Sequence, residues 1–253
     1  MSFFKVEDLT AGYGGRPVVE KISFELEEGS LLGLLGANGS GKTTLLKAIC
    51  GILPHQGSCV LEGTRLEKLP PRQLARLCSY IPQRSGISID ISLLDVVLMG
   101  FNPRLGHPSA QMKEKARQAL AQTGLEERAE DNYLQLSEGQ KQLCILARTL
   151  AAEGRFLLLD EPESALDFRH RYRMLELLRD WLRGGEDGGQ KKRAAAAALH
   201  DPSLALNCCD SLLLLSEGKI HAVLHPGTDP LERMEEQLAV IYGSVSLHRC
   251  RDK

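Results

Sequence analysis

The stretch SLLGLLGANGSGKTTLLKAIC, Ser30 to Cys50, decides the fold. It opens with Leu31 to Leu35, a short unbroken apolar run that suits a strand buried on both faces, as in a parallel sheet. Glycine-rich text follows. From Thr43 onward Leu45, Leu46 and Ile49 recur at helical spacing, and Gly51 is a natural stop. Between strand and helix lies GANGSGKT, made of Gly36, Ala37, Asn38, Gly39, Ser40, Gly41, Lys42 and Thr43, with Thr44 after it. The spacing is G-x-x-x-x-G-K-[ST] in the strand–loop–helix setting that gives it meaning. Glycines let the backbone curl so that several N–H groups face one anion, and the helix start adds its positive end. Lys42 is expected on the β- and γ-phosphates of a nucleotide, and Thr43 on Mg²⁺.

A second buried strand is expected over Arg155 to Asp160, in the text RFLLLDEP. It delivers Asp160 and Glu161 to the carboxyl end of a parallel strand, where open α/β sheets bind their ligands. Asp160 suits the metal shell. Glu161 suits the group that orients or deprotonates an attacking water.

Other strands are expected at residues 3 to 9, 22 to 26, 58 to 62, 77 to 81, 211 to 215 and 219 to 224, the last two forming a hairpin through Ser216 to Gly218. AGYGG, with Gly12, Gly14 and Gly15, reads as a turn-rich stretch after the first strand. PPRQLARL reads as a short helix with proline in its first turn. Helical text covers 90 to 123, broken by FNPRLGHPS, and further helices are expected at 137 to 150, 168 to 183 and 230 to 242. GGEDGGQKKR, 184 to 193, is a solvated connection. The next segment, AAAAALH, has the local propensity of a helix. No internal repeat and no separating linker is visible, so 1–253 is read as one domain.

Bulk composition narrows the function classes. The 253 residues are 43% hydrophobic and 25% charged, with a net charge of -2. A packed core is affordable, and a dedicated nucleic-acid binder is not indicated. No apolar run reaches bilayer length, and the polar start MSFFKVEDLT does not read as a signal peptide. The chain is expected in the cytosol, with any membrane role carried by a partner. The seven cysteines, Cys50, Cys59, Cys78, Cys144, Cys208, Cys209 and Cys250, include no C-x-x-C pair and read as reduced, mostly buried side chains.

One more motif settles a resemblance. LSEGQ, Leu136 to Gln140, precedes Asp160 by 20 residues and resembles the signature of the ATP-binding cassette ATPases, usually written LSGGQ. Ser137 can cap the following helix and Gln140 can complete a capping box, which presents a helix start and Gly139 outward as an anion-binding surface. The rest of the family's text follows in order over residues 3 to 243. The resemblance implies that Tyr13 stacks on adenine, that Gln83 in YIPQ is the lid glutamine touching Mg²⁺, and that SALD, Ser164 to Asp167, faces a second subunit. It implies that His200 contacts the γ-phosphate and that AAAAALH is a strand despite its propensity. The fold it implies is an α/β phosphate-loop NTPase domain. Such a domain has a RecA-like core, an antiparallel β subdomain and an α-helical signature subdomain over about residues 84–150. The resemblance also implies ATP and Mg²⁺ as cofactors, and two copies that sandwich two ATPs head to tail. Two positions depart from the pattern. Glu138 stands where glycine is favoured, and Glu163 where threonine or serine is commoner. Glu138 would repel phosphates if it faced them, but it favours the helix start if it faces solvent.

The finer wording resembles the branch that imports iron-siderophore, haem or vitamin B12. It lies in VVLMGFNPRLG, in ALDFRHR and in LHDPSLALNCCDSLLLLSEGKI. That branch implies separate integral-membrane permease subunits, an extracytoplasmic substrate-binding protein, and a peripheral position on the cytoplasmic face of the cell membrane. On this resemblance neither the regulatory β-domain of maltose-type import ATPases nor exporter-type membrane helices are expected. Residues 85 to 108 are expected near the permease, with Met99, Phe101 and Leu105 either receiving a coupling helix or packing internally. Two other readings stay open: a soluble cassette not coupled to transport, and an importer ATPase for another small substrate such as a metal ion or oxyanion.

Overall fold

The computed structural model describes residues 2–84, 86–101, 108–152, 154–184 and 192–248. Leu105, Cys250 and most of the 184–193 connection lie outside them. The chain begins with strands β1 (Phe4–Tyr13), β2 (Arg16–Leu26) and β3 (Leu31–Leu35), then helix α1 (Lys42–Ile49), β4 (His55–Leu61) and β5 (Thr64–Arg65). Helix α2 (Pro71–Leu77), β6 (Cys78–Ile81), α3 (Leu93–Leu98), α4 (Ala110–Gln122) and α5 (Glu138–Ala151) follow. The remainder is β7 (Phe156–Asp160), α6 (Phe168–Leu182), β8 (Ala194–Ala198), α7 (Pro202–Cys208), β9 (Ser211–Ser216), β10 (Lys219–Leu224) and α8 (Leu231–Tyr242). These elements form two compact units: residues 1–68 with 196–253, and residues 69–195.

The first unit holds an antiparallel sheet in the order β2-β1-β4-β5. Here β1 and β2 run longer than the expected 3–9 and 22–26. Tyr13 pairs with Arg16 around Gly14 and Gly15, whose φ angles of 58° and 78° make the two-residue turn that suits twisted hairpins. Only those two glycines of AGYGG turn; the rest is strand. The unit also holds a parallel pair, β3 with β9, and the expected hairpin of β9 with β10. Helix α1 buries Leu45, Leu46 and Ile49, and β3 is buried along its whole length.

The second unit pairs β6 and β7 in parallel, with Tyr80 opposite Leu158. Helices α3, α4 and α5 pack on one another. The apolar stripe of α5 includes Leu143, Cys144, Leu146 and Ala147, all buried. Strand β8 crosses the division between the units. Its five alanines are strand, against their local propensity. Five residues are too few to nucleate a helix, which needs about 12–15 residues to hold alone in water. The ends of the run are fixed by backbone bonds instead: Ala194 N–H to Arg155 O at 3.0 Å, and Leu199 N–H to Leu34 O at 3.0 Å.

Helix α7 was not expected from the sequence. Its signal was present in Asp201-Pro202: the Asp201 carboxylate accepts from the Ser203 and Leu204 N–H groups, and Pro202 occupies the first turn. None of the six cysteines among the described residues is joined in a disulfide. Burial pushes the Cys50 thiol up to about 11 and the Cys144 thiol up to about 12, which leaves both protonated and unreactive near neutral pH.

Candidate active site

The phosphate loop belongs to the first unit. Gly41 caps α1 with φ 105° and contributes no side chain, so the first N–H groups of the helix have no side-chain cap. A Cβ at Gly41 would sit 2.5 Å from Val19 Cγ1, and one at Gly36 would sit 2.5 Å from both Leu215 O and Ser40 Oγ. These glycines therefore serve close approach as well as backbone shape. Lys42 is buried and donates from Nζ to the carbonyls of Gly36 at 2.7 Å and Ala37 at 3.3 Å, which folds its ammonium back over the loop. Ser40 Oγ is buried without a hydrogen-bond partner. An orphaned hydroxyl, a curled backbone and an ammonium in one loop are the donor set a polyphosphate needs. The residues present thus fit ATP.

Tyr13 ends β1 with half its surface exposed, at 52%, which leaves its ring free for a flat partner. His200 is exposed immediately after β8, next to the Asp201 cap. The sequence reading missed Tyr242, on the C-terminal helix α8. Burial pushes its hydroxyl above the ordinary tyrosine range, and that hydroxyl is buried without a hydrogen-bond partner.

The acidic residues belong to the second unit. Asp160 is buried at the end of β7 and accepts from Tyr80 Oη at 2.9 Å. Tyr80 is the other residue that sequence reasoning missed; its place in YIPQ, on the strand beside β7, was the available signal. Glu161 has φ 50°, a left-handed conformation that costs a non-glycine residue and persists where surrounding structure fixes it. The Gln83 Nε2 amide donates to Glu161 Oε2. The structure therefore brings together two of the expected catalytic residues. Glu163, the second departure from the family pattern, is almost fully buried.

The signature residues take the expected form. Ser137 Oγ accepts from Gln140 N–H at 3.3 Å, and Gln140 Oε1 accepts from Ser137 N–H at 3.1 Å, a complete capping box. A Cβ at Gly139 would lie 2.9 Å from Ala165 O, so glycine lets the signature helix approach the SALD segment. Glu138 faces solvent, with its side chain 70% exposed and paired to Lys141 Nζ at 2.8 Å. Asp167 caps α6, accepting from His170 N–H at 2.9 Å and pairing with His170 Nδ1 at 2.7 Å. Of the permease-contact candidates, Met99 is exposed, and Phe101 lines a surface cavity of about 450 Å³ with Arg76, Met112 and Lys115.

The profile of the family described as ABC transporter matches residues 19–164, more than half the chain. The chain belongs to the ABC transporter family. This cassette is 37% identical over 248 residues to the hemin import ATP-binding protein HmuV of Bordetella pertussis, across 94% of this chain and 91% of that protein. It is 33% identical over 231 residues to the cobalamin import ATP-binding protein BtuD of Halobacterium salinarum, across 88% of the cassette and 56% of that protein. A solved ATP-binding subunit of an ABC transporter superposes with a TM-score of 0.78 at 24% identity, across 96% of both chains. The cassette therefore has the mixed α/β ABC ATPase fold, and it is an ATP-hydrolysing subunit of the importer type. Among its described residues no helix is long and apolar enough to cross a membrane.

Proposed function

We propose that this cassette drives uptake of a metal-bearing macrocycle or chelate, with haem first, iron-siderophore and cobalamin next. It does so as a dimer docked on two integral-membrane permease subunits at the cytoplasmic face of the membrane. An extracytoplasmic binding protein delivers the substrate. Residues 1–253 act as one ATPase domain, with about 84–150 as its helical subdomain. The observation that carries the reading is LSEGQ folded as an outward helix start with a complete capping box, in a chain that already owns a phosphate loop. One nucleotide does not need two such surfaces from one chain. A second copy supplies the partner surface, and a closed two-fold dimer satisfies both.

In this reading Gly36 to Thr44 hold the ATP phosphates, Tyr13 stacks on adenine, and Ser137, Gly139, Gln140 and Asp167 face the nucleotide of the other copy. Glu161 takes a proton from water. The water oxygen bonds to the γ-phosphorus as the bond to the bridging oxygen breaks, releasing ADP and phosphate. Lys42 and His200 bind the γ-phosphate oxygens and balance the charge that gathers there. Thr43, Gln83 and Asp160 would hold Mg²⁺, which supplies further neutralisation of phosphate charge. Loss of the γ-phosphate weakens the dimer, and the opening is passed to the permease.

The test is reconstitution. The cassette is co-expressed with candidate permeases of this importer type and assayed in vesicles for ATP-dependent uptake of hemin, a ferric siderophore and cobalamin. Uptake of one of the three that is lost with Glu161→Gln is expected. A cassette that associates with no membrane protein and drives no uptake would overturn the proposal.

A further inference from the structure

The antiparallel sheet of the first unit gathers three side chains of metal-binding type that have no assigned part in nucleotide binding. His55 opens β4, Cys59 lies four residues on, and Glu67 follows β5 on the short 3-10 turn Leu66–Lys68. Their ligand atoms all lie within 4.8 Å of one another. His55 Nε2 is 3.9 Å from Cys59 Sγ and 3.3 Å from Glu67 Oε1.

A regular strand would not do this. Residues four apart on a strand share a face but stand about 13 Å apart along it. The strand is irregular where it matters. Gly57 has φ 91°, and a Cβ there would meet Glu7 O at 2.4 Å and Asp8 O at 2.5 Å, so only glycine fits. The pairing of β4 with β1 shifts register between Glu7 and Thr10, beside that glycine. The extra residue belongs to β1, where Asp8 and Leu9 lie opposite Gly57, and within β4 the left-handed Gly57 breaks the strand geometry between His55 and Cys59. Leu66, buried, anchors the turn that delivers Glu67. Cys59 is fully buried, the His55 side chain is only 8% exposed, and the Glu67 side chain is 26% exposed, which gives the cluster one open side.

We propose that His55, Cys59 and Glu67 form a binding site for a borderline-soft divalent cation of the zinc class, separate from the Mg²⁺ that accompanies ATP. A thiolate, an imidazole and a carboxylate are zinc's usual ligands, at bond lengths of about 2.0–2.3 Å. Tetrahedral coordination at those lengths sets ligand atoms roughly 3.3–3.8 Å apart, close to the two separations above. Three protein ligands leave a fourth position for water on the open side. Sulfur and imidazole select against Mg²⁺ and Ca²⁺, which take oxygen ligands. On binding, the Cys59 S–H proton leaves to solvent and the sulfur lone pair forms the metal bond, with no redox change. The Cys59 N–H also donates to Glu67 Oε1, and Arg65 Nε lies 3.7 Å from Glu67 Oε2, so the carboxylate is oriented from outside the ligand set.

The experiment is a Co²⁺ titration of the full-length, nucleotide-free chain, followed by Zn²⁺ competition. One equivalent of Co²⁺ is expected to give a thiolate-to-cobalt charge-transfer band and d–d absorption of tetrahedral strength, both abolished by Zn²⁺. Cys59→Ser should remove the charge-transfer band, whereas Cys208→Ser should keep it. Glu67→Gln, which keeps the sulfur and the fold, should keep the band but weaken Co²⁺ binding at least tenfold. Retention of ATP binding by each variant checks that it is folded. The proposal fails if the wild type gives no band at a several-fold excess of Co²⁺, if the band survives Cys59→Ser, or if Glu67→Gln binds as the wild type does.

Discussion

Gln83 Nε2 donates to Glu161 Oε2, so the amide of the YIPQ segment and the carboxylate that follows β7 are hydrogen-bond partners. Glu161 sits at φ 50° while it accepts this bond. A carboxylate whose position is fixed both by backbone and by an amide is set for one direction of proton transfer. Glu161→Gln keeps the size and loses the base. ATP turnover should fall by about 10²–10⁴-fold, the range of a lost general base, while ATP binding persists and the dimer is trapped. Steady-state phosphate release and nucleotide-dependent gel filtration read the two effects; unchanged turnover removes Glu161 from the chemistry.

Lys42 makes a different prediction. Its ammonium is folded onto the Gly36 and Ala37 carbonyls, inside the phosphate loop. Lys42→Ala should weaken ATP binding by about 10- to 100-fold, the equivalent of a charge-assisted contact of about 1.5–3 kcal/mol. Equilibrium binding of a fluorescent ATP analogue measures it. AMP, which lacks the β- and γ-phosphates, should lose far less.

Ser137 closes one half of the capping box on α5. Ser137→Ala should cost about 0.5–2 kcal/mol of stability, read as a lowered denaturation midpoint. In the proposed dimer it should also slow turnover, because the same helix start faces the partner's ATP. A stability loss without any loss of turnover would separate the cap from the nucleotide role.

Glu138 points away from the helix start it occupies, toward Lys141 at 2.8 Å. An exposed pair of this kind contributes about 0–1 kcal/mol. Glu138→Gly should therefore lower stability slightly and leave ATP turnover equal or faster. A strong loss of turnover would show that the carboxylate has a specific task at the signature.

Much of the fold could be read locally. Leu31–Leu35 and Phe156–Leu159 announce buried parallel strands because a strand covered on both faces must be apolar throughout. The phosphate loop and the capping box are local as well, since each is a contiguous stretch whose backbone N–H groups and side chains satisfy one another within a few residues. His200 and Tyr13 were placed through resemblance, and the structure leaves both exposed at element ends. Helix α7 was not expected, although Asp201-Pro202 carried its signal.

What the sequence by itself determined is the set of parts: the phosphate loop, the acidic strand end, the signature helix and their order, all written in short-range spacing. The tertiary structure decided what meets across long separations. It made Ala194–Ala198 a strand, because backbone bonding to distant carbonyls outweighs the helix preference of a run too short to nucleate. It turned Glu138 to solvent, brought Tyr80 to Asp160 and Gln83 to Glu161, and gathered His55, Cys59 and Glu67 around the irregular β4. Local spacing specifies hydrogen bonds within a turn of chain. Side-chain convergence between elements depends on register, twist and bulges, which are set only when the strands pair.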